Sequence, residues 1–154
     1  MLNVIVTGGS GSIGFNLFEF FEKNSYSYIN VSRYLKEEGI SHEKLNSVFW
    51  NNSDICIHLA GNNNNNNIQT KVAYREYFEV NTDLTKKLFD QFIGSTCETF
   101  IYMSSVKAAA DDVDSVLDES VIPNPINAYG KSKLAAEEYI LSQKLPKGKR
   151  VYIL

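Results

Sequence analysis

The sequence predicts a doubly wound α/β fold, in which helices cover both faces of a parallel sheet. Short apolar runs without internal polar residues alternate with longer amphipathic stretches along the 154 residues. Such alternation is typical of buried parallel strands joined by helices. A glycine-rich turn directly after the first apolar run supports the same fold, because it links a strand to a helix. The length corresponds to one domain, and we expect it to span residues 1–154.

Five apolar runs predict the strands of the sheet. They are residues 2–6, 28–31, 55–59, 100–103 and 151–154. Only residues 34–54 separate the second strand from the third, so any strand between them must be short and is expected near Ile40.

Helices are predicted where apolar residues recur at helical spacing. The first begins at Ser12 and ends near Asn24, which is expected in the left-handed conformation. The others are predicted at residues 43–50, 72–92 and 134–145. The asparagine run 62–67 and the acidic segment 111–119 predict loops. Most acidic side chains of that segment are expected to point to solvent: Asp111, Asp112, Asp114, Asp118 and Glu119.

Composition excludes several classes of function. The formal charge of -3 disfavours nucleic-acid binding, which requires a basic surface. No apolar run is long enough to span a bilayer, and the N-terminus does not resemble a signal peptide. Cys56 and Cys97 form neither a disulfide framework nor a metal-binding pattern. We therefore expect a cytoplasmic protein without a metal, a membrane partner or a nucleic-acid partner.

The glycine-rich turn predicts a dinucleotide-binding loop. It comprises Gly8, Gly9, Ser10, Gly11, Ser12, Ile13 and Gly14. Glycines allow the tight turn and let the backbone approach a pyrophosphate, while the helix N-terminus supplies N–H donors. A sharp strand-to-helix turn without a ligand is the alternative interpretation.

The end of the second strand indicates which dinucleotide is bound. It carries Ser32 and Arg33 in place of the carboxylate that would bind a free ribose 2′-hydroxyl. A serine and a guanidinium suit a 2′-phosphate better. NADP is therefore favoured over NAD, although a solvated Arg33 with bound NAD remains the alternative.

Tyr129 and Lys133 are candidate catalytic residues. Their spacing of four places both side chains on one face of a helix. A neighbouring ammonium stabilises a phenolate and so makes tyrosine a better acid/base group. Ser104 and Ser105 follow a predicted strand at its carboxyl end, where open α/β sheets bind ligands. The alternative is an ordinary exposed helix face.

Five motifs in order resemble the extended short-chain dehydrogenase/reductase family, in its NAD-dependent epimerase/dehydratase branch. The motifs are Thr7-Gly8-Gly9-Ser10-Gly11-Ser12-Ile13-Gly14, His58-Leu59-Ala60-Gly61, Asn81, Tyr102-Met103-Ser104-Ser105 and Tyr129-Gly130-Lys131-Ser132-Lys133. The resemblance covers essentially the whole chain and implies a Rossmann-type dinucleotide-binding domain. Its best-known members are nucleotide-sugar 4-epimerases, 4,6-dehydratases and 4-keto reductases, often in polysaccharide biosynthesis.

The resemblance also implies a role for each matching residue. Tyr129 would act as general acid/base, Lys133 would assist it and hold the nicotinamide ribose, and Ser105 would hydrogen-bond the reacting oxygen. Leu59, Ala60 and Gly61 would form a turn that passes the cofactor. Asn81 would support the site or, alternatively, lie exposed on its helix. His58 is expected to be a core residue with a hydrogen-bond partner.

The family resemblance also implies an oligomeric state and a further domain. It suggests a homodimer formed through helices 72–92 and 134–145, and a C-terminal substrate domain that this chain lacks. By itself the chain is then expected to bind cofactor with little turnover. Two alternatives stay open: a non-catalytic dinucleotide-binding fragment, and a reductase of a small carbonyl compound.

Overall fold

A computed structural model describes residues 2–33, 39–63, 71–111, 116–118 and 120–154, with only the backbone for residues 71 and 73. Residues 64–67 of the predicted asparagine loop lie outside the described residues. So do residues 112–115 and 119 of the acidic segment, and with them the expectation for Asp112, Asp114 and Glu119. The chain divides into two units. One comprises Met1–Ala60, Leu88–Met103 and Lys144–Leu154, and the other comprises Gly61–Lys87 and Ser104–Gln143.

The first unit contains a five-stranded parallel sheet, as predicted. Its strands are β1 (Asn3–Thr7), β2 (Ser27–Val31), β3 (Ile55–His58), β4 (Thr99–Tyr102) and β5 (Arg150–Ile153). Their spatial order is β2-β1-β3-β4-β5, and every neighbouring pair is parallel. The order reverses direction at β1, which makes the carboxyl ends of β1 and β3 the point where a ligand is expected.

The short strand expected near Ile40 is reduced to a single bridge. Ile40 pairs in parallel with Val31 beyond the edge of β2. Its N–H donates to the carbonyl of Asn30, and its own carbonyl accepts from the N–H of Ser32. One bridge therefore occupies the sheet edge among the described residues of this segment.

Apolar side chains on both faces of the sheet form the core of the first unit. Val4 and Val6 of β1 are buried with Phe21, and Phe18 stacks on Tyr28 with ring centroids 4.5 Å apart. Elsewhere in this unit Phe100 packs against Phe89 and Phe92. The strands are therefore buried on both faces of the sheet, as their continuous apolar sequences predict.

The helices differ from their predicted bounds at several ends. They are α1 (Ser12–Lys23), α2 (Ser47–Asn51), α3 (Lys71–Tyr77), α4 (Leu84–Ile93), α5 (Val106–Ala109) and α6 (Ala128–Ser142). A π-helical segment, Phe78–Asp83, joins α3 to α4 within the helix predicted at 72–92. Helix α6 begins six residues before the predicted 134.

The left-handed residue after α1 is Ser25 and not Asn24. Ser25 has φ 57°, whereas Asn24 has φ -108°. The Asn24 side chain instead donates to the carbonyl of Phe20, 2.8 Å away, which holds it in the last turn. The asparagine at position 24 correctly predicted where α1 ends, but the left-handed conformation is adopted by the next residue, Ser25.

Within the described part of the chain, no helix is both long and apolar enough to cross a membrane.

Candidate functional site

The glycine loop of the first unit packs so tightly that several of its glycines are required by the fold. Gly8 has φ +74°, and a Cβ there would lie 2.5 Å from the backbone nitrogen of Ala60. A Cβ on Gly14 would lie 2.4 Å from Cα of Gly9. Both distances are shorter than any real contact of a Cβ, so the loop needs glycine at these positions even without a ligand.

Gly11 is different, because the protein leaves room beside it. The nearest atom to a Cβ on Gly11 would be the carbonyl oxygen of Gly8, at 3.5 Å, which is an ordinary contact. Gly11 is also the N-cap of α1 and provides no side-chain acceptor for the first-turn N–H groups. Open space and uncapped donors at a helix N-terminus fit a pyrophosphate. The predicted residues Ser10, Ser12 and Ile13 are exposed on this loop.

Thr7 connects the ends of β1 and β3 in the first unit. Its Oγ1 lies 2.5 Å from Nδ1 of His58 and accepts a hydrogen bond from the N–H of Ala60 at 3.4 Å. His58 is fully buried and stacks on Tyr102. His58 is thus a core residue with a hydrogen-bond partner, as predicted, and it supports the turn through Leu59 and Ala60.

The two residues predicted to select the cofactor have different environments. Ser32 is 4% exposed, while Arg33 is exposed. The Asn30 side chain lies beside the loop, and its buried Oδ1 has no hydrogen-bond partner among the described residues. Of the predicted pair, only Arg33 is exposed at the surface.

In the second unit, Asn81 is buried and holds two segments together. Its Nδ2 donates to Ser132 Oγ at 2.9 Å and to the carbonyl of Asn62 at 3.0 Å, while its Oδ1 accepts from the N–H of Asn62 at 2.7 Å. The exposed alternative for Asn81 was therefore wrong. The adjacent Thr82 is buried as well, and its Oγ1 donates to the carbonyl of Ser132.

Lys133 lies beside these residues with only 4% of its surface exposed. A Cβ on Gly61 would be 3.4 Å from its Nζ and 3.2 Å from Asn81 Oδ1. Burial lowers the pKa of Lys133 from 10.5 to about 8, and the carboxylate of Glu137 partly opposes this shift. The second unit thus brings Gly61, Asn81 and Lys133 together and lowers the pKa of the Lys133 amine to about 8.

Tyr129 is half-buried one helical turn before Lys133, in the first turn of α6. Its ring meets that of Tyr77 edge-on, with centroids 6.1 Å apart. The hydroxyl of Ser132 donates to the carbonyl of Tyr129 at 2.7 Å. The predicted spacing of Tyr129 and Lys133 on one helix is therefore present.

Ser105 is the N-cap of α5, and its Oγ accepts the N–H of Lys107 at 3.2 Å. Its neighbour Ser104 donates from Oγ to the carboxylate of Glu137 on α6. Glu137 was absent from the predicted site. Its spacing of four from Lys133 was the available signal.

Asp111 was expected at the solvent and instead organises the start of α6. Its carboxylate accepts hydrogen bonds from the backbone N–H groups of Ile126, at 2.5 Å, and Asn127, at 3.1 Å, and from the side chain of Asn127. Asp118, by contrast, is exposed as expected. Acidic residues in one loop look alike in sequence, and only the tertiary structure separates them.

The chain belongs to a known protein family. The model of the NAD dependent epimerase/dehydratase family matches residues 4–153. The family assignment and the doubly wound fold predicted from the sequence are both confirmed.

Three relatives illustrate the match. MoeE5 in complex with UDP-glucuronic acid and NAD has TM-score 0.82 and 25% identity, over 98% of this chain and 52% of that chain. UDP-N-acetylglucosamine 4-epimerase from Bacillus cereus has TM-score 0.80 and 25% identity, over 99% of this chain and 59% of that chain. A decarboxylating sterol-4-alpha-carboxylate 3-dehydrogenase of Dictyostelium discoideum is 26% identical over 92% of this chain and 48% of its own length. The chain thus spans about half the length of these relatives.

Proposed function

We propose that this chain is the dinucleotide-binding part of a nicotinamide-dependent epimerase, dehydratase or 4-keto reductase acting on a nucleotide-sugar. The observation that carries the proposal is Lys133, a buried amine four residues from Tyr129 on one helix, which together with Asn81 lies beside Gly61. Burying an amine costs free energy, so its position is best explained by a function that uses it.

The cofactor would be held by backbone groups and by the side chain of Lys133. Residues 8–14 would bind the pyrophosphate, since Gly11 leaves space there and α1 presents N–H donors. The turn at Leu59, Ala60 and Gly61 would pass the cofactor, and Lys133 would donate to the nicotinamide ribose. A bound nicotinamide supplies the hydride acceptor or donor that such reactions need.

The proton chemistry falls to three side chains of the second unit. Tyr129 would exchange the proton of the reacting hydroxyl or carbonyl, and the ammonium of Lys133 would stabilise its phenolate form. Ser105 Oγ already accepts one hydrogen bond from Lys107, which leaves its hydroxyl hydrogen to donate to the reacting oxygen. That donation matters most as negative charge develops there.

NADP preference rests on Arg33 alone, because Ser32 is buried. A guanidinium recognises a phosphate through several donors. MoeE5 is described with NAD, so NADP selection would be a property of this chain and not of every relative.

The substrate class is supported by the relatives. MoeE5 is described with UDP-glucuronic acid, and the Bacillus cereus relative is a UDP-N-acetylglucosamine 4-epimerase. The Dictyostelium relative is a sterol dehydrogenase, and it favours a second candidate, a dehydrogenase or reductase of an alcohol or carbonyl compound without a nucleotide.

A single-turnover assay tests the proposal. The chain, in excess over substrate and with NAD(H) or NADP(H), is incubated with UDP-sugars, dTDP-sugars and a sterol ketone, and products are followed by NMR. Because the chain by itself is expected to turn over little substrate, we expect at most slow conversion of a nucleotide-sugar, which Tyr129→Phe abolishes while calorimetric cofactor affinity stays normal. Conversion of the sterol alone supports the second candidate, and binding without any conversion supports a non-catalytic module. Equal conversion by Tyr129→Phe would refute the role assigned to this residue.

A further inference from the structure

Glu137 is a half-buried carboxylate that the proposed chemistry does not use. It lies on α6 one turn after Lys133, on the same helix face. Its carboxylate accepts a hydrogen bond from the hydroxyl of Ser104, the chain neighbour of Ser105. The Glu137 side chain therefore links α6, which also carries Tyr129 and Lys133, to the turn that carries Ser105.

Its charge acts on Lys133, and Lys133 acts on it. Burial favours the neutral forms of both groups, lowering the pKa of Lys133 and raising that of Glu137. The opposite charge of each partner counteracts these shifts, and the Ser104 hydrogen bond also favours the carboxylate. Glu138, exposed on the same helix, acts on Glu137 in the opposite direction. Ser104 thus helps to keep a negative charge next to the buried amine.

We propose that Glu137 is a positioning residue with two functions: it keeps Lys133 protonated, and it fixes the Ser104–Ser105 turn to α6. This inference rests on the proposed function, because it assigns Glu137 to the same Ser105, Tyr129 and Lys133. The carboxylate touches neither substrate nor cofactor and acts through its two neighbours.

Two variants separate the two functions. Glu137→Gln retains an oxygen that can accept from Ser104 but removes the charge, so Lys133 should lose its proton at lower pH. Ser104→Ala removes the hydrogen bond but retains the carboxylate, so the pKa of Glu137 should rise. Glu138→Gln is the matched control, because it removes the same charge from a neighbouring exposed position.

The experiment combines NMR titration with cofactor binding. Lys133 and Glu137 are titrated by NMR in the protein labelled with ¹³C at lysine and glutamate. NADH affinity is measured by calorimetry from pH 6 to pH 10. Because Lys133 would donate to the nicotinamide ribose, parent affinity should fall as this residue deprotonates. For Glu137→Gln we expect two midpoints to move to lower pH by about 1 pH unit. One is the midpoint of the Lys133 titration, and the other is the pH at which NADH affinity has fallen halfway. The Glu138→Gln control should leave the Lys133 titration and the pH midpoint of NADH affinity at their parent values.

The outcomes distinguish this inference from the proposed function. If the Lys133 titration of Glu137→Gln matches the parent, or if Ser104→Ala leaves the Glu137 titration unchanged, the inference is wrong. A merely structural role would leave the pH midpoint of NADH affinity in place. Should the parent bind neither NADH nor NADPH, the proposed function fails, and the two NMR titrations still decide whether Glu137 acts on Lys133 and whether Ser104 acts on Glu137.

Discussion

Gly8 and Gly11 belong to one loop, but the structure requires them to different degrees. Gly8 combines a positive φ with a backbone only 2.5 Å from the place of a Cβ, so any other residue would distort the turn against Ala60. Gly11 has neither constraint, and a side chain there would extend into open space. The fold does not require glycine at this position, and we attribute its absence of a side chain to the proposed ligand.

Arg33 provides the test of cofactor choice at the residue scale. Arg33→Ala should weaken NADPH binding at least about tenfold, which corresponds to a lost charge-assisted hydrogen bond of about 1.5–3 kcal/mol. NADH affinity should hardly change, because NADH lacks the 2′-phosphate. Calorimetric titration of both cofactors measures this. Arg75→Ala, at an exposed arginine paired with Glu79, is the control. Equal losses for the two cofactors would disprove NADP selection by Arg33.

The sequence could predict the identity of many candidate residues but not their accessibility. Ser32 and Arg33 are adjacent and polar, yet one is buried and the other exposed. Asp111 could not be distinguished from its acidic neighbours, because its partners Ile126 and Asn127 lie far along the chain. Contacts between distant segments are not visible in local patterns.

At the scale of elements, the start of helix α6 determines where Tyr129 lies. Asn127 is the N-cap, and its Oδ1 accepts from the N–H of Gly130 at 2.7 Å. Asp111 holds Asn127 from the other side. Gly130 has no room for a Cβ, which would lie 2.2 Å from the carbonyl oxygen of Lys107 on α5. These contacts fix the first turn of α6 and with it the backbone of Tyr129.

Replacing this cap should affect both stability and binding. Asn127→Ala should lower the free energy of unfolding by about 1 kcal/mol, the usual cost of a lost N-cap. It should also weaken NADH binding, since the turn carrying Tyr129 becomes less ordered. Urea unfolding and calorimetry provide the two measurements.

Asn46→Ala is a matched control for this prediction. Asn46 caps α2 in the same way, with Oδ1 accepting the N–H of Val48 at 3.0 Å. This variant should lose stability without losing affinity for NADH. If both variants bind NADH like the parent, the Asn127 cap does not position the site.

The strands were easier to predict than the helices. Each of the five strands lies within one residue of its predicted ends, because buried parallel strands are continuous apolar runs. Helix α6 begins before its apolar pattern does, with Tyr129, Lys131 and Lys133 in its first turns. The π-helical segment Phe78–Asp83 has different backbone hydrogen bonds from an α-helix, but the spacing of its apolar residues is almost the same. No sequence pattern therefore indicated it.

At the scale of the whole molecule, Lys133 couples folding to pH. Below about pH 8 it is protonated in both the folded and the unfolded chain. Between about pH 8 and 10.5 the unfolded chain binds more protons at this residue, so its contribution to stability rises with pH. Over this interval the increase should be about 3 kcal/mol.

Comparison with Lys133→Met isolates this contribution. The difference in the free energy of unfolding, parent minus variant, should increase as pH rises from 8 to 10.5, measured by urea unfolding at each pH. The buried thiols change stability in the opposite direction at high pH, but they are the same in both proteins and cancel. A difference that stays constant over this range would show that burial does not lower the pKa of Lys133.

Self-association remains a prediction. Exposed apolar side chains on α3 and α6, including Val72 and Leu141, are suited to an interface between two copies. Sedimentation velocity over a range of concentrations should show a dimer that Leu141→Glu weakens. A monomer at every concentration would exclude the interface.

The loop at residues 8–14 carries our main proposal, which is that it binds a nicotinamide dinucleotide. Its most direct test is a calorimetric titration of NADH and NADPH into the parent, Gly11→Val and Gly94→Val. Gly94 is a suitable control, because a Cβ there would also meet nothing closer than 3.6 Å. We predict that the parent and Gly94→Val bind and that Gly11→Val, with an unchanged melting temperature, binds about 100-fold more weakly, since its side chain would occupy the space of the pyrophosphate. Parent-like affinity in a folded Gly11→Val would contradict the claim.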